Sequence, residues 1–159
     1  MTPAVKTLKR LAVDHSVVEY AHDPAQESYG TEAVAALGVD GGYVFKTLVV
    51  MLDGTQPAVG VIPVDQRLNL KAIATAANAK KASMADRLDA ERVTGYVLGG
   101  ISPVGQKRRL PTFIDDSACD LDKMYVSGGR RGLELILAPS DLACVTGASF
   151  APLGVSPKL

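Results

Sequence analysis

The stretch FKTLVVMLDGTQPAVGVI, residues 45–62, is the part of the sequence that decides the fold. Residues 45–52 are apolar apart from Lys46 and Thr47, and residues 58–62 form a second apolar run. Between the two runs, Asp53-Gly54 is a dipeptide typical of tight β-turns. Continuous apolar runs of this length are typical of strands that are covered on both faces. The stretch therefore predicts an antiparallel hairpin at the centre of a sheet.

Short helices are predicted on both sides of the hairpin, from capping residues and from apolar side chains at helical spacing. They cover residues 3–13, residues 31–37 with Thr31 as cap and Gly38 as terminator, residues 70–77, a segment between the cap Asp86 and Gly95, and a segment from Pro139 to Gly147. Further strands are predicted at residues 17–20, 111–114, 124–126 and 133–137, where β-branched and apolar residues cluster.

This order of elements favours an α+β fold, with a mixed, largely antiparallel sheet or a partly closed barrel flanked by short helices. A chain of 159 residues is long enough for one domain with a substantial core, which we place at residues 1–150. Residues 151–159 contain few apolar side chains, and we expect them to form a flexible tail.

The charge balance limits how this chain can bind a polyanion. Seventeen Lys and Arg balance seventeen Asp and Glu, so no overall positive field attracts nucleic acid. Binding to nucleic acid would depend on local basic patches and would be modest and sensitive to salt.

Two further features concern the location of the protein. The N-terminal residues lack the apolar core of a signal peptide, and no apolar run approaches the length of a membrane span, so we expect a cytoplasmic protein without a membrane partner. Cys119 and Cys144 lie far apart, with neither a CxxC pattern nor a nearby histidine. We expect reduced, semi-buried structural thiols and no metal site.

Standard catalytic motifs are absent from the sequence. The chain has two histidines, His15 and His22, and contains neither the G-x-S-x-G motif of serine hydrolases nor the phosphate-binding P-loop. The aspartates at positions 115, 116, 120 and 122 do not match a calcium-binding loop, and a solvated loop is expected there.

The segment TGYVLGGISPVGQKRRLP, residues 94–111, is the best candidate for a binding site. Four glycines and two prolines exclude a regular helix or a central strand, whereas its apolar side chains argue against disorder. Ordered irregular segments of this length are usually binding or catalytic loops. Gly99 and Gly100 leave backbone amides accessible to a ligand, and residues 107–109 add positive charge at the edge of the loop.

Isolated charges in apolar strands form a second group of candidates. Lys46 and Glu134 are single charged residues in predicted strands, and each has either a structural role or a role in a site, since buried charges need a partner. A Lys46–Glu134 pair across the sheet is one possibility. The segment GGRRG at residues 128–132 is either a tight turn with exposed arginines or an anion-binding backbone nest.

Several segments together resemble the YbaK family of bacterial aminoacyl-tRNA deacylases, which shares its fold with the editing domain of bacterial prolyl-tRNA synthetases. The resemblance is carried by GGISPVGQKRRLP at residues 99–111 and YVSGGRRGLEL at residues 125–135. MTPAVK, YAHDP, FKTLVV and MAD, which begin at residues 1, 20, 45 and 84, extend it over the chain to about residue 150.

The resemblance implies trans-editing of Cys-tRNA(Pro), with the acceptor end of tRNA(Pro) and prolyl-tRNA synthetase as partners and without a cofactor. A synthetase pocket separates amino acids of similar bulk by only about 1–3 kcal/mol, so a second site must hydrolyse the error. In this family the cysteine thiol of the substrate is thought to attack its own ester and to release a thiolactone, which agrees with the missing nucleophile.

The resemblance also implies roles for individual residues. Those implied for catalysis are Lys46 and the backbone of Gly99, Gly100 and Ile101. Those implied for substrate binding are Tyr20, Tyr29, Thr47, Ser102, Pro103, Ser127, Gly128 and Glu134. The basic residues expected to contact tRNA are Lys107, Arg108, Arg109, Arg130 and Arg131. Relatives commonly have phenylalanine at position 29 and aspartate at position 134, so the reach of the longer Glu134 into the site is an open question.

Two other functions agree with the same residues. An Ala-tRNA(Pro) deacylase of this fold would have to activate water, because alanine has no thiol. A non-catalytic module that binds tRNA or a synthetase would leave mischarged tRNA intact.

Overall fold

The computed structural model describes residues 1–25 and 28–157. Within these residues the chain forms five α-helices, numbered in chain order. They are α1 (Pro3–Arg10), α2 (Tyr29–Leu37), α3 (Leu70–Ala76), α4 (Arg87–Thr94) and α5 (Pro139–Thr146). Short 3-10 turns cover Gly41–Tyr43 and Asp116–Asp120. None of the helices in the described part of the chain has the length and apolar character needed to cross a membrane.

Ten strands lie in the same described residues. They are β1 (Ser16–Glu19), β2 (Phe45–Leu52), β3 (Gln56–Pro63), β4 (Arg67–Leu68), β5 (Ala82–Met84), β6 (Thr112–Asp115), β7 (Met124–Ser127), β8 (Leu133–Leu137), β9 (Ser149–Ala151) and β10 (Gly154–Val155). The short strands β4, β5, β9 and β10 were not predicted from the sequence, because two or three residues are too few to show a strand periodicity.

The predicted central hairpin is confirmed. Strand β2 pairs antiparallel with β3 from Phe45 opposite Pro63 to Leu52 opposite Gln56. Both strands are interior in a five-stranded sheet of order β5-β2-β3-β6-β9, in which β3–β6 and β6–β9 are parallel. The two faces of the hairpin enter different apolar clusters, with Val49 in one and Val50 in the other. The continuous apolar runs follow from this burial on both faces.

A second, three-stranded antiparallel sheet has the order β1-β8-β7. A single parallel bridge between Val44 and Tyr125 joins it to the start of β2. The five-stranded sheet ends at β5 and β9 and does not close on itself within the described residues. The α+β class with a mixed, largely antiparallel sheet is therefore confirmed, whereas the partly closed barrel is not formed.

Helix ends follow local chemistry, with two differences from the prediction. Gly38, Gly95 and Gly147 adopt the left-handed conformation expected of terminators. Helix α2 begins earlier than predicted, because the hydroxyl of Ser28, and not that of Thr31, accepts the capping bond from the Thr31 amide at 3.3 Å. Helix α1 ends at Arg10, and Ala12 beyond it has a φ of 55°.

The expectation of a flexible tail at residues 151–159 is wrong for its described part. Strand β9 extends the main sheet to Ala151, Leu153 is fully buried, and β10 pairs with β4. Lys158 and Leu159 lie outside the described residues. The sequence-based expectation failed because a single leucine in a polar segment can fill a site in the core when a group that is close in space fixes its backbone.

Asp115 is the group that fixes this backbone. Its Oδ1 accepts hydrogen bonds from the amides of Leu153 and Gly154, each at 2.8 Å. The expectation of a solvated aspartate is therefore wrong at this position, where the side chain is buried. Burial alone would raise the pKa of Asp115, but hydrogen bonds from Ser117, Gly154 and Leu153 outweigh it and lower the pKa.

Replacing Asp115 tests this anchor. We expect Asp115→Ala to lower the free energy of unfolding by about 2–3 kcal/mol, because two buried amides lose a charged acceptor. Because the folded-state pKa is depressed, the anchor acts above the unfolded-state pKa and is lost as the pH falls through the folded-state value. Urea unfolding at neutral and acidic pH measures both effects. The neighbouring exposed Asp116→Ala is the control, and equal losses in the two variants would contradict the role of Asp115.

Candidate functional site

A cavity of about 310 Å³ opens where the two sheets meet the start of α2 and the glycine-rich loop after α4. It contains nine of the residues that the sequence singled out. They are Tyr20, Tyr29, Lys46, Thr47, Gly99, Ile101, Ser127, Arg131 and Glu134. Residues from distant parts of the chain therefore share one space.

The strand register brings three of these residues to one edge of the second sheet. Ser127, at the end of β7, lies opposite Glu134 in β8, and Glu134 also lies opposite Val18 in β1. The Tyr20 amide then donates to the Gly132 carbonyl at 2.9 Å, which extends the pairing past the end of β1. Antiparallel pairing thus places Tyr20, Ser127 and Glu134 at the same rim.

Glu134 is a buried carboxyl that the protein leaves without a partner. The residue is 6% exposed, and within the described residues its carboxyl forms neither a hydrogen bond nor an ion pair. Burial raises the pKa of Glu134 to about 8, so the side chain is largely protonated at neutral pH. Glu134 lines the cavity, so its longer side chain reaches this space.

Lys46 lies in the same cavity but does not pair with Glu134. Its Nζ is 3.5 Å from the Val64 carbonyl oxygen. Burial lowers the pKa of Lys46, and the negative charge of Asp65 partly opposes that change. Among the described ion pairs there is no contact between Lys46 and Glu134, so the pairing considered from the sequence is not formed. The ammonium group remains available to a ligand.

The glycine-rich loop supplies two amides to the cavity. Gly99 has a φ of 91°, and a side chain there would strike the Tyr29 ring at 2.8 Å, so only glycine fits. Gly99 and Ile101 line the cavity, and neither amide has an acceptor among the described residues. The Gly100 amide instead donates to the Val97 carbonyl at 2.9 Å, and Gly100 lies outside the lining.

Thr47 adds an unpaired oxygen. Its Oγ1 is buried and has no hydrogen-bond partner within residues 1–25 and 28–157. Since a buried hydroxyl without a partner is costly, a ligand that bonds to it regains stability. Together with the two loop amides, this hydroxyl makes the cavity rich in unpaired hydrogen-bonding groups.

A buried carboxylate that the sequence analysis missed holds one wall of the cavity. Glu32 is 7% exposed and accepts hydrogen bonds from the Asp23 amide, from His22 Nδ1 and from Arg131 Nε. Burial alone would raise the pKa of Glu32, but these bonds and the charge of Arg131 lower it. The sequence signal that could have found Glu32 was its position next to Ala33, on the side of α2 that faces the interior.

Glu32 in turn orients Arg131. The Arg131 guanidinium lies 4.1 Å from the centre of the Tyr29 ring, a cation–π geometry. Arg130, by contrast, is exposed, pairs with Glu19 at 3.1 Å and is not part of the lining. Of the two adjacent arginines, the structure therefore brings only Arg131 to the cavity.

The other predicted site residues lie elsewhere. Ser102 is a fully buried residue of the glycine-rich loop. Gly128 lies in a tight turn, and its amide donates to the Leu133 carbonyl. Pro103, Arg108 and Arg109 line a second cavity of about 290 Å³. Lys107 lines neither of these two cavities. The contacts of these basic residues with tRNA stay a prediction.

The two cysteines are free and exposed, so the expectation of semi-buried thiols is wrong. Neither cysteine lines the cavity. In the described part of the chain, no three His, Cys, Asp or Glu side chains are close enough together to hold a metal ion.

Comparison with known proteins places this cavity in a family context. The model of the aminoacyl-tRNA editing domain family matches residues 23–144. A protein of Enterococcus faecalis is 37% identical over 153 residues, which is 96% of this chain and 92% of that protein. It carries the provisional name Cys-tRNA(Pro)/Cys-tRNA(Cys) deacylase EbsC.

Two crystal structures have the same fold. One, of a hypothetical protein, superposes with a TM-score of 0.87 at 26% identity, covering 97% of this chain and 100% of the other. The second is described provisionally as a trans-editing enzyme for prolyl-tRNA synthetase. It superposes with a TM-score of 0.82 at 24% identity, covering 98% and 99% of the two chains. The likeness extends over nearly the whole of each chain.

The protonated state of Glu134 predicts a pH-dependent stability. The folded protein keeps this proton up to a pH of about 8, whereas an ordinary glutamate has a pKa of 4.5. Because the folded state then binds more protons, the free energy of unfolding falls as the pH rises through this interval, by an amount on the order of a few kcal/mol.

Denaturant unfolding of the wild type and of Glu134→Gln at pH about 5 and about 8 isolates this effect. The amide cannot ionise, so we expect the variant to lose less stability between the two pH values than the wild type does. Glu19→Gln, at an exposed site, is expected to keep the wild-type difference. Identical pH dependence in the wild type and Glu134→Gln would show that Glu134 is ionised in the fold.

Proposed function

Because the chain belongs to the family of aminoacyl-tRNA editing domains, we propose that it deacylates mischarged Cys-tRNA(Pro). The observation that carries the proposal is the single cavity that combines Lys46, two unpaired loop amides and the unpaired Thr47 hydroxyl. The name of the relative from Enterococcus faecalis points to the same substrate.

The loop amides are suited to an ester carbonyl. When a nucleophile attacks, the carbonyl oxygen becomes an oxyanion, and donors that need no rearrangement stabilise it. The Gly99 and Ile101 amides meet this requirement, because both residues line the cavity and neither amide has a partner among the described residues. One such donor is typically worth about 3–4 kcal/mol. Gly100 is excluded from this role by its bond to Val97.

The described lining holds no good protein nucleophile. It includes neither a cysteine nor a histidine. Of its two serines, Ser127 accepts a bond from the Gly129 amide, and Ser28 donates to the Thr31 hydroxyl. His22 is bonded to Glu32 instead of to a serine. A serine without a base is a weak nucleophile. The proposal therefore assigns the attack to the cysteine thiol of the substrate.

In the proposed step, the thiol sulfur forms a bond to the ester carbonyl carbon, and the bond from that carbon to the ribose oxygen breaks. The thiol proton ends on the departing ribose oxygen, so the products are tRNA with a free hydroxyl and a four-membered thiolactone. Water then opens the thiolactone to cysteine. Attack within one molecule reaches effective molarities of roughly 10⁵–10⁸ M, so correct folding of the substrate supplies most of the acceleration.

The cavity walls have separate roles in this proposal. The Lys46 ammonium binds the terminal adenosine or its phosphate, and Arg131 stacked on Tyr29 forms the opposite wall. We assign Glu134, which lines the cavity, to the α-amino group of the substrate, because a bound ammonium would favour the ionised carboxylate. The substrate implies a cytoplasmic location and the acceptor end of tRNA(Pro) as partner. Delivery by prolyl-tRNA synthetase would compensate for the balanced charge of the chain.

Removing the Lys46 charge tests the site. We expect Lys46→Ala to lower kcat/KM for Cys-tRNA(Pro) about 100-fold, because the substrate loses its charged contact and its alignment. Release of radiolabelled cysteine from charged tRNA measures the rate. Lys71→Ala, at an exposed position of α3, is the matched control and should keep the wild-type rate. Equal rates for Lys46→Ala and the wild type would refute the assigned role.

A second experiment tests the nucleophile with a panel of charged tRNA(Pro). Cysteinyl-tRNA should be deacylated, whereas alanyl-tRNA and S-methylcysteinyl-tRNA should react slower by orders of magnitude, because neither carries a free thiol. Comparable rates on alanine would indicate activated water instead. Binding of every charged tRNA without deacylation, also in the presence of prolyl-tRNA synthetase, would indicate a non-catalytic module.

A further inference from the structure

The second cavity, of about 290 Å³, lies at the other end of the glycine-rich loop. Its lining combines residues from the end of α1, from the end of α5 and from loop residues 103–110. Arg10, Arg108 and Arg109 all contribute to it. Arg10 is 98 positions away from Arg108 in the chain, so the sequence did not connect it with the loop. We call this space the arginine cavity.

The three arginines of this cavity lack acidic partners. No aspartate or glutamate is part of the lining, and within the described residues none of the three guanidinium groups forms a hydrogen bond or an ion pair. Four of the other five arginines, Arg87, Arg92, Arg130 and Arg131, each pair with a carboxylate, whereas Arg67 forms no ion pair among the described residues. Three uncompensated charges around one space favour an anionic occupant.

The side-chain donors that remain for such an occupant are the guanidinium groups. The Thr7 hydroxyl donates to the Pro3 carbonyl and the Thr146 hydroxyl to the Leu142 carbonyl, each at 2.8 Å. The side-chain amide of Gln106 donates to the Ser102 carbonyl at 3.0 Å. A guanidinium presents its N–H groups in a planar fork that matches the oxygens of a phosphate.

Helix ends account for part of this positive charge but not for all of it. Helices α1 and α5 both end at the cavity, and the Arg109 Nη2 lies 2.6 Å from the position of a side chain on Gly147, just after α5. Each helix C-terminus carries about −0.5 elementary charge. Two ends offset about one of the three positive charges, so roughly two remain for a ligand.

We propose that the arginine cavity binds a phosphate group of the tRNA backbone while the aminoacyl ester occupies the first cavity. This inference rests on the proposed function. One loop serves both spaces, since Ile101 lines the first and Pro103 the second. Two residues span at most about 7 Å, so the linings of the two cavities approach each other at this loop.

The test compares two triple variants with the same change in net charge. R10Q/R108Q/R109Q removes the cavity charges, and R67Q/K71Q/R87Q removes three exposed charges elsewhere. Binding of labelled, uncharged tRNA(Pro) is measured across a range of salt concentrations. We expect the cavity variant to bind at least about tenfold more weakly, with the slope of log K against log salt reduced by about one. The other triple variant should bind as the wild type does.

Three further measurements separate the possible causes. Thermal unfolding verifies that the variants fold. If the triple variant does not fold, the single variants R10Q and R108Q are compared with the wild type in the tRNA-binding assay, with a smaller expected effect. Deacylation of 2′(3′)-O-cysteinyladenosine, which has no backbone phosphate, should be unchanged in the cavity variant. Inorganic phosphate in the thermal unfolding assay probes binding of a free anion.

Defined outcomes would overturn the proposal. Wild-type tRNA affinity and salt slope in the cavity variant would show that the arginines only offset helix ends. Equal weakening in both triple variants would show an effect of net charge alone. Stabilisation by inorganic phosphate without any change in tRNA binding would show a site for free anions. If the wild type binds tRNA(Pro) through the cavity but deacylates neither substrate, the proposed deacylase function fails while the phosphate site stands.

Discussion

The eight-residue pairing of β2 with β3, buried on both faces, is the constraint on which the rest of the structure depends. Because one face enters each apolar cluster, helices and strands from both ends of the chain must pack against this hairpin. Full burial cannot continue to the start of β2, where Lys46 and Thr47 need polar surroundings. The bridge between Val44 and Tyr125 brings the second sheet to that point, and the cavity forms where the two sheets meet.

The cavity keeps several groups in states that the fold alone does not favour. Glu134 holds a buried proton, Thr47 has an unpaired hydroxyl, and the Gly99 and Ile101 amides have no acceptor among the described residues. Each costs free energy in the fold, and a ligand that supplied the missing partner would offset that cost. The Asp115 anchor and the hairpin core provide stability against these costs. Such preorganisation suits a reaction in which the protein positions a substrate and contributes no nucleophile of its own.

Predictions succeeded where neighbouring residues control the outcome and failed where distant ones do. The hairpin, the glycine terminators and the α+β class follow from turn chemistry and periodicity. The C-terminal segment was wrongly expected to be flexible. The bonds from Leu153 and Gly154 to Asp115, which order it, join residues almost forty positions apart and leave no local pattern in the sequence. Lys46, Gly99 and Glu134, which line the cavity, were singled out from the sequence, whereas Glu32, which holds Arg131 at the cavity wall, was missed because its partners lie in other segments.

The sequence by itself determined the five helices and six of the ten strands, and it showed that no standard catalytic motif is present. It also singled out the glycine-rich loop, because glycine and proline both disfavour regular helices and strands locally. The tertiary structure alone decided which of the candidate residues line the cavity: Gly99 and Ile101 but not Gly100, and Arg131 but not Arg130. It also brought Arg10 beside Arg108 and Arg109. Burial and hydrogen-bond partnership depend on which distant groups meet, and that information exists only in the folded chain.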